Sequence, residues 1–228
     1  MRKVLLWIRM FFCLLPIWLS SLRSRREEFP VRFQVMKHWV NVVVNSSGAI
    51  VKATGTENIP LGVPVYFVSN HQGSLDPFIF INTVTTPCTL VSKKENLRIP
   101  IISSWMKTME MIAFDRSDLR ASLQMVKDVA EVLKNGRPVI IYPEGTRSKS
   151  SVMGEFKPGA LKPAFLAKVP VVPVTMKNSY IIDVDDDDDS HIEIIYDKPI
   201  EYEEYKDMNT TELAEKVLGI IQKHLDEK

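Results

Sequence analysis

The sequence predicts an α/β fold: a largely parallel central sheet flanked by helices, with an N-terminal membrane-docking helical pair. Three observations carry this prediction. From residue 65 onward, short β-branched and aromatic runs alternate with helical periodicities, the pattern of strands joined by crossover helices. Residues before 49 form two consecutive apolar and basic stretches of helical period instead. A length of 228 residues suits one α/β domain with a small appendage. The expected organisation is amphipathic, membrane-associated helices over 1–48 and the α/β domain over 49–228.

Val4 to Leu22 is an apolar stretch framed by Arg2 and Lys3 before it and by Arg23, Arg25 and Arg26 after it. A spanning helix needs roughly 20 largely apolar residues. Here Arg9 interrupts the run and Pro16 removes a helical donor. An arginine at mid-bilayer costs about 2.5–3.5 kcal/mol on insertion scales. Basic residues on both flanks set no orientation, and SSLRSRREE is a poor cleavage site for a secretory leader. The expectation is a helix lying in the headgroup region with its arginines at anionic lipid, ahead of a true span or a buried core helix. Around Pro30, Phe29, Phe33, Met36, Val40 and Val43 recur at helical spacing with Trp39 beside them. This second helix completes a docking hairpin or packs as an ordinary core helix, and Asn45-Ser46-Ser47-Gly48 ends it.

Val65 to Ser69 reads as a buried strand. Pro77 suits a first helical position with Asp76 as N-cap, and Phe78, Ile79 and Ile81 continue that helix. Cys88–Ser92 and Met111–Phe114 are further strands. Ser117 or Asp118 caps a helix carrying Leu119, Leu123, Val126, Ala130 and Leu133, closed by Asn135-Gly136. Val139–Tyr142 is a strand, Gly159–Lys168 a short helix, and Val171–Met176 and Ile192–Tyr196 are strands. Asn209 with Glu212 forms a capping box for a last helix with Leu213, Val217, Ile220, Ile221 and Leu225 on one stripe.

Several function classes are excluded. A net charge of +1 gives no global field for nucleic acid. Cys13 and Cys88 are too few for a disulfide framework or a four-ligand zinc site, and a reduced, intracellular setting is the simpler reading. The acidic run Asp183 to Asp189 lacks the glycine and the closing glutamate of an EF-hand, so a solvated loop is expected and no metal site. Gly154 to Gly159 has P-loop glycine spacing, but Ala160 and Leu161 stand where Lys and Ser/Thr are required. No Gly-x-Ser-x-Gly elbow supplies a nucleophile.

Two stretches remain. In Asn70-His71-Gln72-Gly73-Ser74-Leu75-Asp76, a strand runs into a pliable turn, at the edge where parallel sheets bind ligands. A curl would return Asp76 to the imidazole Nδ1–H, fix the tautomer and leave Nε2 free to take a proton. A histidine satisfied by a helix cap would look the same. In Tyr142-Pro143-Glu144-Gly145-Thr146-Arg147-Ser148, glycine permits close backbone approach and Arg147 offers a planar fork for phosphate. Glu144 would hold that arginine or a ligand hydroxyl, and the competing reading is a surface turn with its arginine in solvent.

At these residues the chain resembles the glycerolipid acyltransferases related to 1-acylglycerol-3-phosphate acyltransferase. Four blocks occur in order: Asn70, His71 and Asp76; Phe114-Asp115-Arg116; Pro143 to Ser148; and Val171-Val172-Pro173-Val174. The N-terminal pair is also similar to that family's membrane-docking element. The resemblance departs at Met109-Glu110-Met111, where a glycine-containing stretch is usual, and at Gly73-Ser74, which replaces bulkier filler. Acyl-length preference is therefore open.

The resemblance implies transfer of a fatty acyl group from a thioester to the 2-hydroxyl of lysophosphatidic acid, giving phosphatidic acid in phospholipid biosynthesis. His71 would be the general base and Asp76 its orienting partner. Arg116 and Arg147 would grip the acceptor phosphate, with Glu144, Gly145, Thr146 and Lys157 around it and Pro173 on the acyl-donor side. Backbone N–H groups near Gly145 would face the oxyanion. No bound cofactor is implied. The co-substrate is an acyl thioester of coenzyme A or acyl carrier protein, and the partners are membrane lipids, with the protein membrane-associated on the cytoplasmic face. Another lysolipid acceptor, an acyl-ester hydrolase using the same His/Asp pair and a non-enzymatic lipid-binding protein are the alternatives.

Overall fold

The computed structural model describes residues 2–115, 118–184 and 190–227. In chain order the elements are α1 (Arg2–Ser24), α2 (Phe29–Ser46), β1 (Ile50–Thr54), β2 (Tyr66–Ser69), α3 (Asp76–Thr83), β3 (Thr89–Lys93), α4 (Pro100–Thr108), β4 (Ile112–Phe114), α5 (Leu119–Lys134), β5 (Val139–Ile141), α6 (Lys162–Ala167), β6 (Val171–Lys177), α7 (Ile181–Val184), β7 (His191–Tyr196), α8 (Tyr202–Tyr205) and α9 (Thr210–Asp226). Among the described residues, seven strands form one sheet in the order β1-β7-β6-β2-β5-β3-β4. β6, β2, β5, β3 and β4 run parallel, whereas β7 runs antiparallel to β6 with β1 alongside it. The predicted largely parallel α/β sheet is therefore present.

Alternation along β2 sets the two faces. Phe67 points into one core with Ile140, Val172, Val174 and Ile194, covered by α1 to α4. Tyr66 and Val68 point into the other with Val139, Ile141 and Val171, covered by α5, α6 and α9. Strands buried on both faces read as continuous apolar runs, which is why these were visible in the sequence. The expected caps of α5 and α9 also form. The Asp118 side chain accepts from Arg120 N–H at 2.8 Å, and Asn209 and Glu212 exchange bonds at the start of α9.

Four elements lie outside the expectations from sequence: β1, α4 and the four-residue helices α7 and α8. β1 is an edge strand with little burial, so its residues carry no strong alternation. α4 is short, and its N-cap Ile99 offers no side-chain cap.

The N-terminal helices divide in behaviour. In α2, Phe33, Met36 and Val40 are buried in the sheet-facing core as expected, but Val44 rather than Val43 continues the buried stripe and Phe29 is only half-buried. α1 buries Ile17, Ser21 and Ser24. The Ser21 and Ser104 hydroxyls hydrogen-bond, and one turn further on Arg25 Nε donates to Thr108 Oγ1 at 3.1 Å. The common offset means that α1 and α4 lie side by side in the same direction. On the other side of α1, Leu14, Leu15, Trp18, Leu19 and Leu22 are exposed. No helix among the described residues is long and apolar enough to cross a membrane.

Because Phe33 is 1% exposed in the core between α2 and the sheet, Phe33→Ala should cost about 3–5 kcal/mol. Chemical denaturation measures this, and a loss below about 1 kcal/mol would place α2 outside the core.

Candidate active site

β2 ends at Ser69, and Asn70 makes the ending possible. Its Nδ2 donates to Met176 O at 2.8 Å, and its Oδ1 accepts from Met176 N–H at 2.7 Å. The side-chain amide thus replaces the next rung of the β2–β6 ladder, and the main chain is released to curl. The curl brings Asp76 back onto it. Asp76 Oδ2 lies 2.7 Å from His71 Nδ1 and accepts from Gln72 N–H at 2.6 Å and Gly73 N–H at 3.0 Å.

Backbone N–H groups can only donate, so Oδ2 is an acceptor and Nδ1 is the protonated edge of the ring. Nε2 is then the basic nitrogen, and it takes no hydrogen bond from the described residues. Asp76 is fully buried, while the His71 side chain is 15% exposed and so reaches the surface. Asp76 was expected to cap α3. It is instead the first helical residue, with Leu75 at the cap position and no side-chain capping bond. Its carboxylate has turned back to the imidazole and the loop amides.

The loop after β5 lies beside this curl because β5 is the parallel neighbour of β2. Ser148 N–H donates to His71 O at 2.8 Å and Lys149 N–H to Gln72 O at 3.0 Å. The Tyr142 ring stacks on the imidazole at 4.3 Å between centroids and 25° between planes. Burial first, then the Asp76 carboxylate, pushes the Tyr142 phenol well above its ordinary range and keeps it neutral.

Glu144, expected to hold Arg147 or a ligand, does neither. It is 5% exposed; Oε1 accepts from His71 N–H at 2.6 Å and Oε2 from Gly154 N–H at 2.8 Å. Its carboxylate clamps the backbone of the histidine. Burial raises its pKa above the ordinary carboxylate range, and the two backbone donors and His71 oppose that rise in part. Gly154 is required by this clamp, since a Cβ there would lie 2.7 Å from Oε2. Gly73 is equally constrained, because its Cβ would lie 2.6 Å from Ser179 O. That contact explains the small residue where bulkier filler was expected.

The remaining expected residues scatter around this centre. Arg147 Nη1 lies 3.3 Å from Asp183 Oδ2. Asp183 is therefore bound, whereas a solvated loop was expected for the acidic run; 185–189 lie outside the described residues. Gly145 has φ +69°, the left-handed region that favours glycine, and its N–H closes a turn on Tyr142 O at 3.0 Å. That N–H is therefore engaged within the loop. Thr146 and Lys157 are exposed. Pro173 is buried within β6 opposite Val68. Its carbonyl accepts from Asp197 N–H at 3.0 Å, so its edge faces the chain leaving β7, at the end of the β6–β7 ladder. Arg116 lies outside the described residues. Lys94 Nζ approaches Asp115 Oδ2 at 3.7 Å across the ends of β3 and β4.

All these segments leave the same edge of the sheet, the carboxyl ends of parallel strands. Sequence reading missed Asp183, Tyr142 and the clamping role of Glu144. No local signal identifies partners that lie in different loops.

Comparison with known proteins follows this geometry. A family model described as Acyltransferase matches residues 50–177. The 1-acyl-sn-glycerol-3-phosphate acyltransferase of Borreliella burgdorferi is 31% identical over 147 residues, 64% of this chain and 59% of that protein. A probable enzyme of the same name from Mycoplasma pneumoniae is 32% identical over 167 residues, 70% of this chain and 62% of that protein. The chain thus spans about 60% of the length of these relatives. The crystal structure of the 1-acyl-sn-glycerophosphate (LPA) acyltransferase PlsC from Thermotoga maritima superposes with a TM-score of 0.81 at 23% identity. That match covers 100% of this chain and 97% of the other, and it establishes a shared fold.

In Glu144→Gln, an amide NH2 must face one of the two backbone N–H groups, so stability should fall by about 1–3 kcal/mol. The wild-type carboxyl has a raised pKa, so the folded chain holds that proton more tightly than the unfolded chain. Its contribution to stability is therefore lost as pH rises from the ordinary carboxylate range through the folded pKa. Glu144→Gln should flatten that limb of a stability–pH curve. A variant as stable as wild type would show that the clamp is unimportant.

Proposed function

The chain belongs to the acyltransferase family, and from that premise we propose that it moves a fatty acyl group from a thioester to the 2-hydroxyl of lysophosphatidic acid. The observation that carries the reading is the His71–Asp76 pair at the carboxyl edge of the sheet, with Nδ1 held at 2.7 Å and Nε2 presented outward. The names of the curated relatives support the choice of acceptor.

The proposed steps are these. Nε2 takes the proton of the lipid 2-hydroxyl as its oxygen attacks the thioester carbonyl carbon. The Asp76 carboxylate stabilises the imidazolium that forms, and the stacked Tyr142 ring supports the same cation. The tetrahedral oxyanion collapses, the carbon–sulfur bond breaks, and the leaving thiolate recovers the proton from the imidazolium. The products are phosphatidic acid and a free thiol on coenzyme A or acyl carrier protein. Arg147, with Arg116 from the segment after β4, anchors the acceptor phosphate, and Lys157 and the exposed Thr146 border it. Pro173 shapes the acyl-donor side from within the sheet. A substrate with an apolar tail favours a docked enzyme, and the exposed leucines and Trp18 of α1 are the surface for it.

A thiol-release assay with lysophosphatidic acid and either carrier tests the reading. His71→Ala should lower turnover by about 10²–10⁴-fold in a chain that remains folded by circular dichroism, and Arg147→Ala should raise KM for the acceptor. Wild-type turnover in His71→Ala would end the proposal. Replacing Leu15, Trp18 and Leu19 with serine should weaken co-sedimentation with anionic vesicles and leave the fold intact, since all three side chains are exposed. Undiminished sedimentation would remove α1 as the docking surface.

A further inference from the structure

Asp183 lies in α7, the short turn that follows β6. Its carboxylate is engaged from two sides. Oδ1 accepts from the Ser74 hydroxyl, while Oδ2 accepts from Ser74 N–H at 2.9 Å and lies 3.3 Å from Arg147 Nη1. The Asp183 side chain is 20% exposed and that of Arg147 is 41% exposed, so the group sits at the rim where a ligand can reach it. A backbone N–H, a hydroxyl and a guanidinium converging on two oxygens form a donor set that suits phosphate as well as carboxylate. Both motif segments contribute: Ser74 belongs to the curl that carries His71, and Arg147 to the loop that pairs with it.

We propose that Asp183 is a resident anion in the acceptor seat, occupying the donors of Ser74 and Arg147 until the phosphate of the lysolipid displaces it. This rests on the acceptor reading above and adds a specificity determinant to it. A rim ion pair of this exposure is weak, so a competing anion can open it. A phosphate brings a larger charge and a third oxygen, and takes over every donor that Asp183 releases. An uncharged headgroup offers nothing to exchange and leaves the pair closed. Asp183 therefore sets a threshold that favours phosphate-bearing acceptors. A residue that merely held Arg147 ready for substrate would act in the opposite direction, since its loss would weaken binding.

The sign of the effect decides between these roles. Asp183→Asn keeps the shape and one acceptor oxygen for Ser74 but removes the charge. In full-length protein it should lower KM for lysophosphatidic acid about two- to fivefold, and inhibition by inorganic phosphate should strengthen by a similar factor. Adding Arg147→Ala should abolish both gains. An unchanged or raised KM, or a gain that survives Arg147→Ala, would overturn the inference. If the wild type acylates a different lysolipid, the acceptor reading fails on its own. The seat is then tested by thermal shift with inorganic phosphate, where Asp183→Asn must still bind more tightly than wild type.

Discussion

One buried oxygen organises the site. Asp76 Oδ2 gathers the imidazole Nδ1 and two consecutive backbone N–H groups. A carboxylate in a protein interior needs donors of this kind to offset its lost hydration. The curl after β2 supplies them, and in doing so it fixes both the loop and the ring. Within the His-x4-Asp spacing the chain leaves a strand, turns, and returns its own carboxylate to the histidine. The proton acceptor on the exposed side of that ring is a consequence of what is bonded on the buried side.

A second set of bonds keeps this curl from moving independently. Glu144 clamps His71 N–H, Ser148 bonds the His71 carbonyl, and Asn70 binds both backbone groups of Met176. The loops after β2, β5 and β6 therefore hold one another. This needs close approach, which accounts for Gly73 against Ser179 and Gly154 against Glu144. Loops bonded to one another on adjacent strands hold the His71 ring in one place. The charged rim is held less firmly: the Arg147 side chain is 41% exposed and that of Asp183 20%, so their ion pair is weak.

The two N-terminal helices pack differently against the sheet domain. α2 is part of the core that carries the sheet, so any element attached to it moves with the site. α1 is held along α4 by serine and arginine contacts and keeps a leucine-rich face uncovered. Burial on one side and exposure on the other are the division expected of a helix that couples a folded domain to an apolar surface.

The strand–helix alternation, the caps of α5 and α9 and the two motif loops were legible in the sequence because each depends on neighbours a few residues apart. Five residues separate His71 from Asp76, and a turn can close that gap by itself. The partners of Glu144 and Asp183 were not legible. His71 and Glu144 are 73 residues apart, Ser74 and Asp183 are 109 apart, and Arg147 and Asp183 are 36 apart. Those meetings follow from the order β6-β2-β5, which places the three loops side by side. Glu144 reads as a ligand-facing carboxylate and Asp183 as a solvated charge until that order is known. Hydrogen-bond chemistry at each residue type is written locally, whereas the identity of a non-local partner is decided by which strands lie adjacent in the folded sheet.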